Sequence, residues 1–356
     1  MTTYVTRSRL PPLEEYVDEL KHIWQSHFLT NEALYVRKLE EELLSLLKVG
    51  YLQLVSNGTV ALQLALEALD ISGEVITTPF SYVATSNSIV WQHCEPVFAD
   101  IEPVTLTLDV SLLERCITPR TRAILPVHVF GMPCNVEVID KIAKEHGLKV
   151  IYDAAHAFGC EYKGRSLLDY GDISTVSFHA TKVFNTAEGG AVICKDAGLN
   201  HKLNLLKRFG HYIDDYRCVG INAKMSELHA ALGMVNLRYF YEEVEERKLI
   251  CSLYDGALST HVRRLKYPEH YKGNYGYYPV ILNDEHQLTE VLNRLAEKDI
   301  YPRRYFYPSL NTLRFYRYQP CPVSESVSKR ILCLPLYGGL EPRTVDQICD
   351  IINTVV

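Results

Sequence analysis

The 356-residue chain carries 43 acidic and 37 basic side chains, and its formal charge of −6 offers no basic footprint for nucleic acid. It is 47% hydrophobic, yet no apolar run approaches the roughly twenty residues of a membrane span, so a large core split into a major and a minor domain is expected. Ten scattered cysteines with no CxxC pair, an opening MTTYVTRSRLPPLEEY without an apolar leader, and thirteen histidines in no metal-ligand spacing predict a cytoplasmic protein without disulfides or metal.

The chain opens with two amphipathic helices. The first is expected over Leu13 to Phe28, and in the second Leu39, Leu43, Leu46 and Leu47 recur at helical spacing above a charged face. YLQLV then reads as a strand ending at Val55, and Ser56-Asn57-Gly58-Thr59 turns into a helix starting near Val60. The free N–H groups and dipole of such a start can hold a phosphate, with Gly58 allowing close approach and Thr59 adding a hydroxyl. An ordinary N-cap explains the same residues. EVITTPFSYVATSNSIVWQH follows as strand, turn and helix, and strands then alternate with helices, which argues for a mainly parallel sheet.

The densest chemistry lies between Val150 and Ile193. Val150-Ile151-Tyr152 is a buried strand that delivers Asp153 at its C-terminal end, where open α/β sheets hold ligands. Ile173 to Phe178 is a second strand, delivering Ser177, His179 and Lys182, and Glu188-Gly189-Gly190 turns into a third, Ala191 to Cys194. A carboxylate and a lysine on neighbouring strand ends suit pyridoxal 5′-phosphate. The lysine forms the Schiff base and the carboxylate keeps the pyridine nitrogen protonated. No GxGxxG turn follows an early strand, which counts against a dinucleotide-binding fold.

Helical periodicity runs from Met225 to about Leu258, with EEVEERK as a solvated stretch. The remainder reads as a smaller α+β lobe, giving domains 1–240 and 241–356. In IYPRRYFYPSLN, Arg303 or Arg304 could pair with a pyrophosphate and Tyr305 or Tyr307 could pack a sugar or base; a strand with alternating faces explains the segment equally well.

The segment DAAHAFG…VSFHATKVFNTAEGG resembles the DegT/StrS-type sugar-nucleotide aminotransferases, and the likeness extends over nearly the whole chain. The resemblance implies the type I aspartate aminotransferase fold with pyridoxal 5′-phosphate as cofactor and its pyridoxamine form as intermediate. It further implies Lys182 as the catalytic residue, Asp153 at the ring nitrogen, His156 at the phenolic oxygen, and Gly58, Thr59 and Ser177 at the phosphate. Tyr82 would stack on the cofactor face, with Phe80 as its rival, and His128 sits in a loop resembling one at the site's edge. Asn222 would reach the phosphate of the neighbouring subunit's cofactor, hence an obligate homodimer with shared active sites. Lys224 stands where the family more often has Arg, which puts a carboxylate clamp there in doubt.

The implied reaction moves the amino group of L-glutamate to a nucleotide-linked keto sugar. The nearest group converts dTDP-4-dehydro-6-deoxyglucose to dTDP-4-amino-4,6-dideoxyglucose for O-antigen, the polysaccharide of lipopolysaccharide, or another surface glycan. The alternatives are a C3-keto or a UDP- or GDP-linked sugar and, lower, a non-catalytic sensor of the cofactor or sugar nucleotide.

Overall fold

In the computed structural model, which describes residues 2–356, the apolar runs become seven strands of one sheet. They are β1 (Tyr51–Val55), β2 (Glu74–Thr77), β3 (Glu95–Phe98), β4 (Thr121–Leu125), β5 (Lys149–Asp153), β6 (Ile173–Ser177) and β7 (Gly190–Cys194). Their spatial order is β1-β7-β6-β5-β4-β2-β3. Neighbours from β6 across to β3 are parallel, whereas β7 runs antiparallel to both β1 and β6. This is the mainly parallel α/β architecture expected, with a single strand reversed.

Strands this apolar are stable only when both faces are covered. The covering helices are α1 (Leu13–Ser26), α2 (Leu34–Leu47), α3 (Gly58–Ala68), α4 (Ala84–Trp91), α5 (Val136–His146), α6 (Ala197–Leu206) and α7 (Glu227–Arg238), and α8 (Phe240–Ala257) then leads away, burying Ile250, Cys251 and Tyr254 in the C-terminal core. Leu39, Leu43 and Leu47 of α2 share a core with Phe158 and Phe178, while α3 buries Leu62 and Leu66 in a core with Val75 and Ile151. The reversal at β7 depends on glycine. A Cβ on Gly190 would lie 2.8 Å from the Val176 carbonyl oxygen, so no other residue fits between β6 and the turn at Asn57. That close packing brings the start of α3 against the end of β6.

Beyond α8 the strands β8 (Arg263–Arg264), β9 (Tyr278–Ile281) and β10 (Ile331–Leu334) form a separate antiparallel sheet. With α9 (Glu285–Ala296), α10 (Pro322–Arg330) and α11 (Pro342–Val355), they complete the C-terminal lobe, whose core contains Val280, Leu288 and Ile348. Near the N-terminus, Thr3–Tyr4 pairs in parallel with Ile300–Tyr301 of this lobe.

Two expectations need correction. The helix expected from Met225 to Leu258 is broken at Tyr239. There Arg238 pairs with Glu15 and Glu19 of α1 at 2.9 and 2.6 Å, and the Tyr239 hydroxyl donates to Glu15. Nor is EEVEERK wholly solvated, because Glu243 and Arg247 are each 2% exposed and paired at 2.6 Å. Arg9 reaches Glu243 at 3.2 Å, and Arg247 donates to the Leu336 carbonyl at 3.0 Å. Both partners are remote in sequence, so helical spacing could not reveal the burial.

Candidate active site

A cavity of about 570 Å³ opens at the C-terminal ends of β5 and β6. The start of α3 forms one wall with Asn57, Gly58 and Thr59, and Tyr82 lies just ahead of α4. Asp153 ends β5, with His156 in the turn after it; Ser177 ends β6, with His179 and Lys182 in the turn after that. The C-terminal lobe adds Tyr277, Arg303, Tyr305 and Phe306.

Lys182 is placed by a tight turn in which its N–H donates to the His179 carbonyl at 2.9 Å. Its stem is partly exposed, but its amine lies among protein groups and donates to the Tyr277 hydroxyl at 3.2 Å. Lost hydration pulls the amine's pKa down to about 8, against the opposing pull of Asp153. About a tenth of the amine is therefore neutral at pH 7, far more than for an ordinary lysine, as a nucleophilic lysine requires.

Asp153 is buried and has only neutral donors. Thr85 Oγ1 donates to Oδ2 at 2.7 Å, and the Ala155 N–H donates to Oδ1 at 3.1 Å. Thr85 is itself held by Ser81 at 2.7 Å. Burial raises the carboxyl pKa despite these bonds and the charge of Lys182. A protonated ring nitrogen in the cavity would supply the cation this carboxylate lacks.

His156 has its tautomer fixed by one backbone group. The Phe130 N–H donates to Nδ1 at 3.0 Å, so the proton sits on Nε2. Its ring lies nearly parallel to those of Phe130 and Phe306, at 6.1 and 5.9 Å, in a three-ring cluster, and burial drives its pKa well below the ordinary value. The imidazole is thus a neutral donor.

At the other end Asn57 caps α3, accepting the Val60 N–H at 2.9 Å; the helix starts at Gly58 rather than near Val60. The N–H groups of Gly58 and Thr59 have no intrahelical partner. A Cβ on Gly58 would come within 2.9 Å of Ser177 Cβ, so the glycine keeps this helix start beside the Ser177 hydroxyl. Two N–H groups, two hydroxyls and a helix dipole form a phosphate cradle.

Not every candidate reaches the cavity. Phe80 is fully buried against Phe130 and Phe306, so of these two rivals only Tyr82 lines the cavity. His128 is buried outside the lining, stacked on Tyr152, with Nδ1 accepting from Cys134 N–H at 3.1 Å. Arg304 turns away to Glu285 at 2.8 Å and lies over the Tyr307 ring, so neither belongs to the wall. Asn222 is exposed, bonded to Lys224 at 2.7 Å, and outside its own chain's cavity. Conversely, nothing local marks Thr85 or Tyr277, one hydroxyl among many and one tyrosine of twenty-four.

A lysine amine, a buried carboxylate short of a cation, an Nε2–H donor and a phosphate cradle in one cavity define a pyridoxal-phosphate enzyme of the aspartate aminotransferase fold. Comparison with known proteins narrows the class. The chain belongs to the DegT/DnrJ/EryC1/StrS aminotransferase family, whose profile matches residues 13–353. It is 41% identical to dTDP-4-amino-4,6-dideoxy-D-glucose transaminase of Shigella dysenteriae, over 99% of this chain and 98% of the relative. It is 34% identical to GDP-perosamine synthase of Escherichia coli O157:H7, over 96% of this chain and 94% of that one. Among solved structures it is similar to DesI, crystallised in the presence of its TDP-sugar product, with a TM-score of 0.94 and 33% identity over 99% of this chain and 92% of that one. The protein is an aminotransferase, and its cofactor is pyridoxal 5′-phosphate.

Proposed function

We propose that the protein transfers the amino group of L-glutamate to a nucleotide-linked keto sugar. The sugar is dTDP-4-dehydro-6-deoxyglucose, aminated at C4. The carrying observation is the Lys182 amine at the end of β6, facing Asp153 across a cavity with a phosphate cradle. The nearly full-length relative named for that dTDP-sugar supports the choice of substrate.

When bound, pyridoxal phosphate supplies an aldehyde that takes up the amino group and a ring that accepts the electron pair of the broken Cα–H bond. Asp153 would sit at the ring nitrogen and keep it positive, and His156 Nε2–H would donate to the phenolic oxygen. Gly58, Thr59 and Ser177 would hold the phosphate, with Tyr82 over a ring face. The Lys182 amine is the base that would take the proton from the donor Cα and hold it for return to carbon, in the reverse sense for the sugar. Arg303 has no carboxylate partner among the described residues and lies beside Tyr305, with Arg Cζ 5.8 Å from the ring centroid. This pair suits a pyrophosphate and an adjoining ring.

Asn222, outside its own cavity, serves the partner's site in a homodimer. The segment around it exposes Ile213, Tyr216 and Val219, apolar surface of the kind a second copy covers. We place the division between lobes at 240/241 and the protein in the cytoplasm, in keeping with ten free cysteines, eight of them buried. Among the described residues no helix is long and apolar enough to cross a membrane.

The test is a two-stage reaction followed by visible absorbance and product mass. L-Glutamate should discharge the cofactor band with release of 2-oxoglutarate, and dTDP-4-dehydro-6-deoxyglucose should restore it and gain an amine at C4. A band that glutamate discharges but only a C3-keto, UDP- or GDP-linked sugar restores would keep the aminotransferase and replace the substrate.

A further inference from the structure

The Lys182 amine must both take and hold a proton in a place where burial opposes charge. Its hydrogen-bond partner is the hydroxyl of Tyr277, at 3.2 Å. No other bond to that hydroxyl is formed among the described residues, so it is uncommitted apart from the lysine. The phenol is held in place by its ring, which packs 4.4 Å from His156, 5.4 Å from Phe130 and edge-on to Tyr305 at 6.1 Å. Tyr277 also stands one residue ahead of β9, anchored by the sheet of the C-terminal lobe.

We propose that Tyr277 is a catalytic residue whose hydroxyl oxygen accepts from the Lys182 ammonium and so lets that amine keep a proton between the two transfers. This rests on the aminotransferase reading above. When Lys182 carries the proton, Nζ–H donates to the phenolic oxygen. When the proton has left for carbon, the phenol O–H donates into the free lone pair, and the amine stays aimed. The phenol never gives up its own proton, since burial raises its pKa well above the ordinary value. A hydrogen bond to an ion is stronger than one to a neutral group, so the pair favours the protonated lysine. Tyr277 and Asp153 thus both oppose the downward pull of burial. The other titratable groups facing the amine are His156, Tyr82 and Tyr305, with His179, Glu188 and Arg303 on the outer walls.

Tyr277→Phe preserves the ring and removes the oxygen. The readout is the rate at which cofactor-free protein captures added pyridoxal phosphate, followed by visible absorbance from about pH 6 to about pH 10. Ionisations of the cofactor are common to both proteins and cancel in the comparison. The expected result is a midpoint about half to one pH unit lower in Tyr277→Phe than in the parent. A second readout is the isotope effect with Cα-deuterated glutamate in a single half-reaction, which should increase as proton transfer slows. Tyr275→Phe, which alters a neighbouring tyrosine outside this cavity, should leave the midpoint in place. An unmoved or raised midpoint in a folded, cofactor-capturing Tyr277→Phe would overturn the role of Tyr277 alone. Failure of the parent protein to capture the cofactor would instead overturn the aminotransferase reading.

Discussion

The cavity around Lys182 and a second one of about 600 Å³ beside α8 share Tyr277 as a common wall. The second is richer in aromatics, with Tyr241, Tyr267, Tyr271, Tyr275 and Tyr278 around it, and it also contains Lys248, Lys272 and Arg264. There each cation has a carboxylate: Glu245 at 3.3 Å, Glu161 at 3.2 Å and Asp255 at 3.7 Å. Around Lys182 the charges are held apart instead. The lysine meets a phenol, Asp153 meets neutral donors, and the Gly58 and Thr59 N–H groups have no partner among the described residues. Size therefore does not distinguish the two cavities, and the richer aromatic lining belongs to the one without Lys182. Unsatisfied charge distinguishes them, and it shows in the pKa of the lysine, which burial lowers to about 8.

The comparison can be broken most severely at the lysine. Lys182→Ala removes both nucleophile and proton carrier, and turnover should fall by roughly 10²–10⁴-fold or more in a coupled 2-oxoglutarate assay. Next comes Asp153→Asn, which neutralises the floor with little change of shape. It should cut the first half-reaction by about a hundredfold and leave the folded state at least as stable, because a buried carboxylate is removed; stopped-flow absorbance and thermal denaturation check the two parts. Gly58→Ala pushes Ser177 away from α3 and should weaken phosphate-dependent cofactor retention by about tenfold, measured by dialysis against inorganic phosphate. Cofactor capture by the cofactor-free protein should rise about tenfold per pH unit below pH 8 and level off above it. The sign follows because the lowered lysine pKa leaves the reactive, neutral amine dominant only above that value. In the second cavity, Lys248→Ala should alter activity by less than about twofold and stability by less than about 0.5 kcal/mol, since its ion pair is solvent-exposed. A large loss there would show that the paired cavity also takes part in function.

The groups legible in the sequence were those fixed by local geometry. Asp153 ends one strand and Lys182 follows the next, so strand period brought them out, while at Gly58-Thr59 turn chemistry left an ordinary N-cap open and the family resemblance decided for a phosphate site. What escaped were contacts between distant segments. Thr85 reaches Asp153 across 68 positions and Tyr277 reaches Lys182 across 95, and nothing local marks either hydroxyl. The tautomer of His156 depends on a backbone N–H 26 residues away. In IYPRRYFYPSLN the two arginines are adjacent, yet one faces the cavity and the other pairs with α9, a choice set by Glu285. The solvated reading of EEVEERK failed for the same reason, because Arg9 and the Leu336 carbonyl come from opposite ends of the chain.

That last cluster has a mechanical consequence. Partly buried Arg9, the buried Glu243–Arg247 pair of α8 and the strand-exit residue Leu336 meet in one cluster, and removing one partner of a buried ion pair costs about 3–5 kcal/mol. The N-terminal arm, the connecting helix and the C-terminal lobe are riveted there. Relative movement of the two lobes at that seam is therefore costly, whereas Arg303 and Tyr305, which border the cavity, take no part in the cluster.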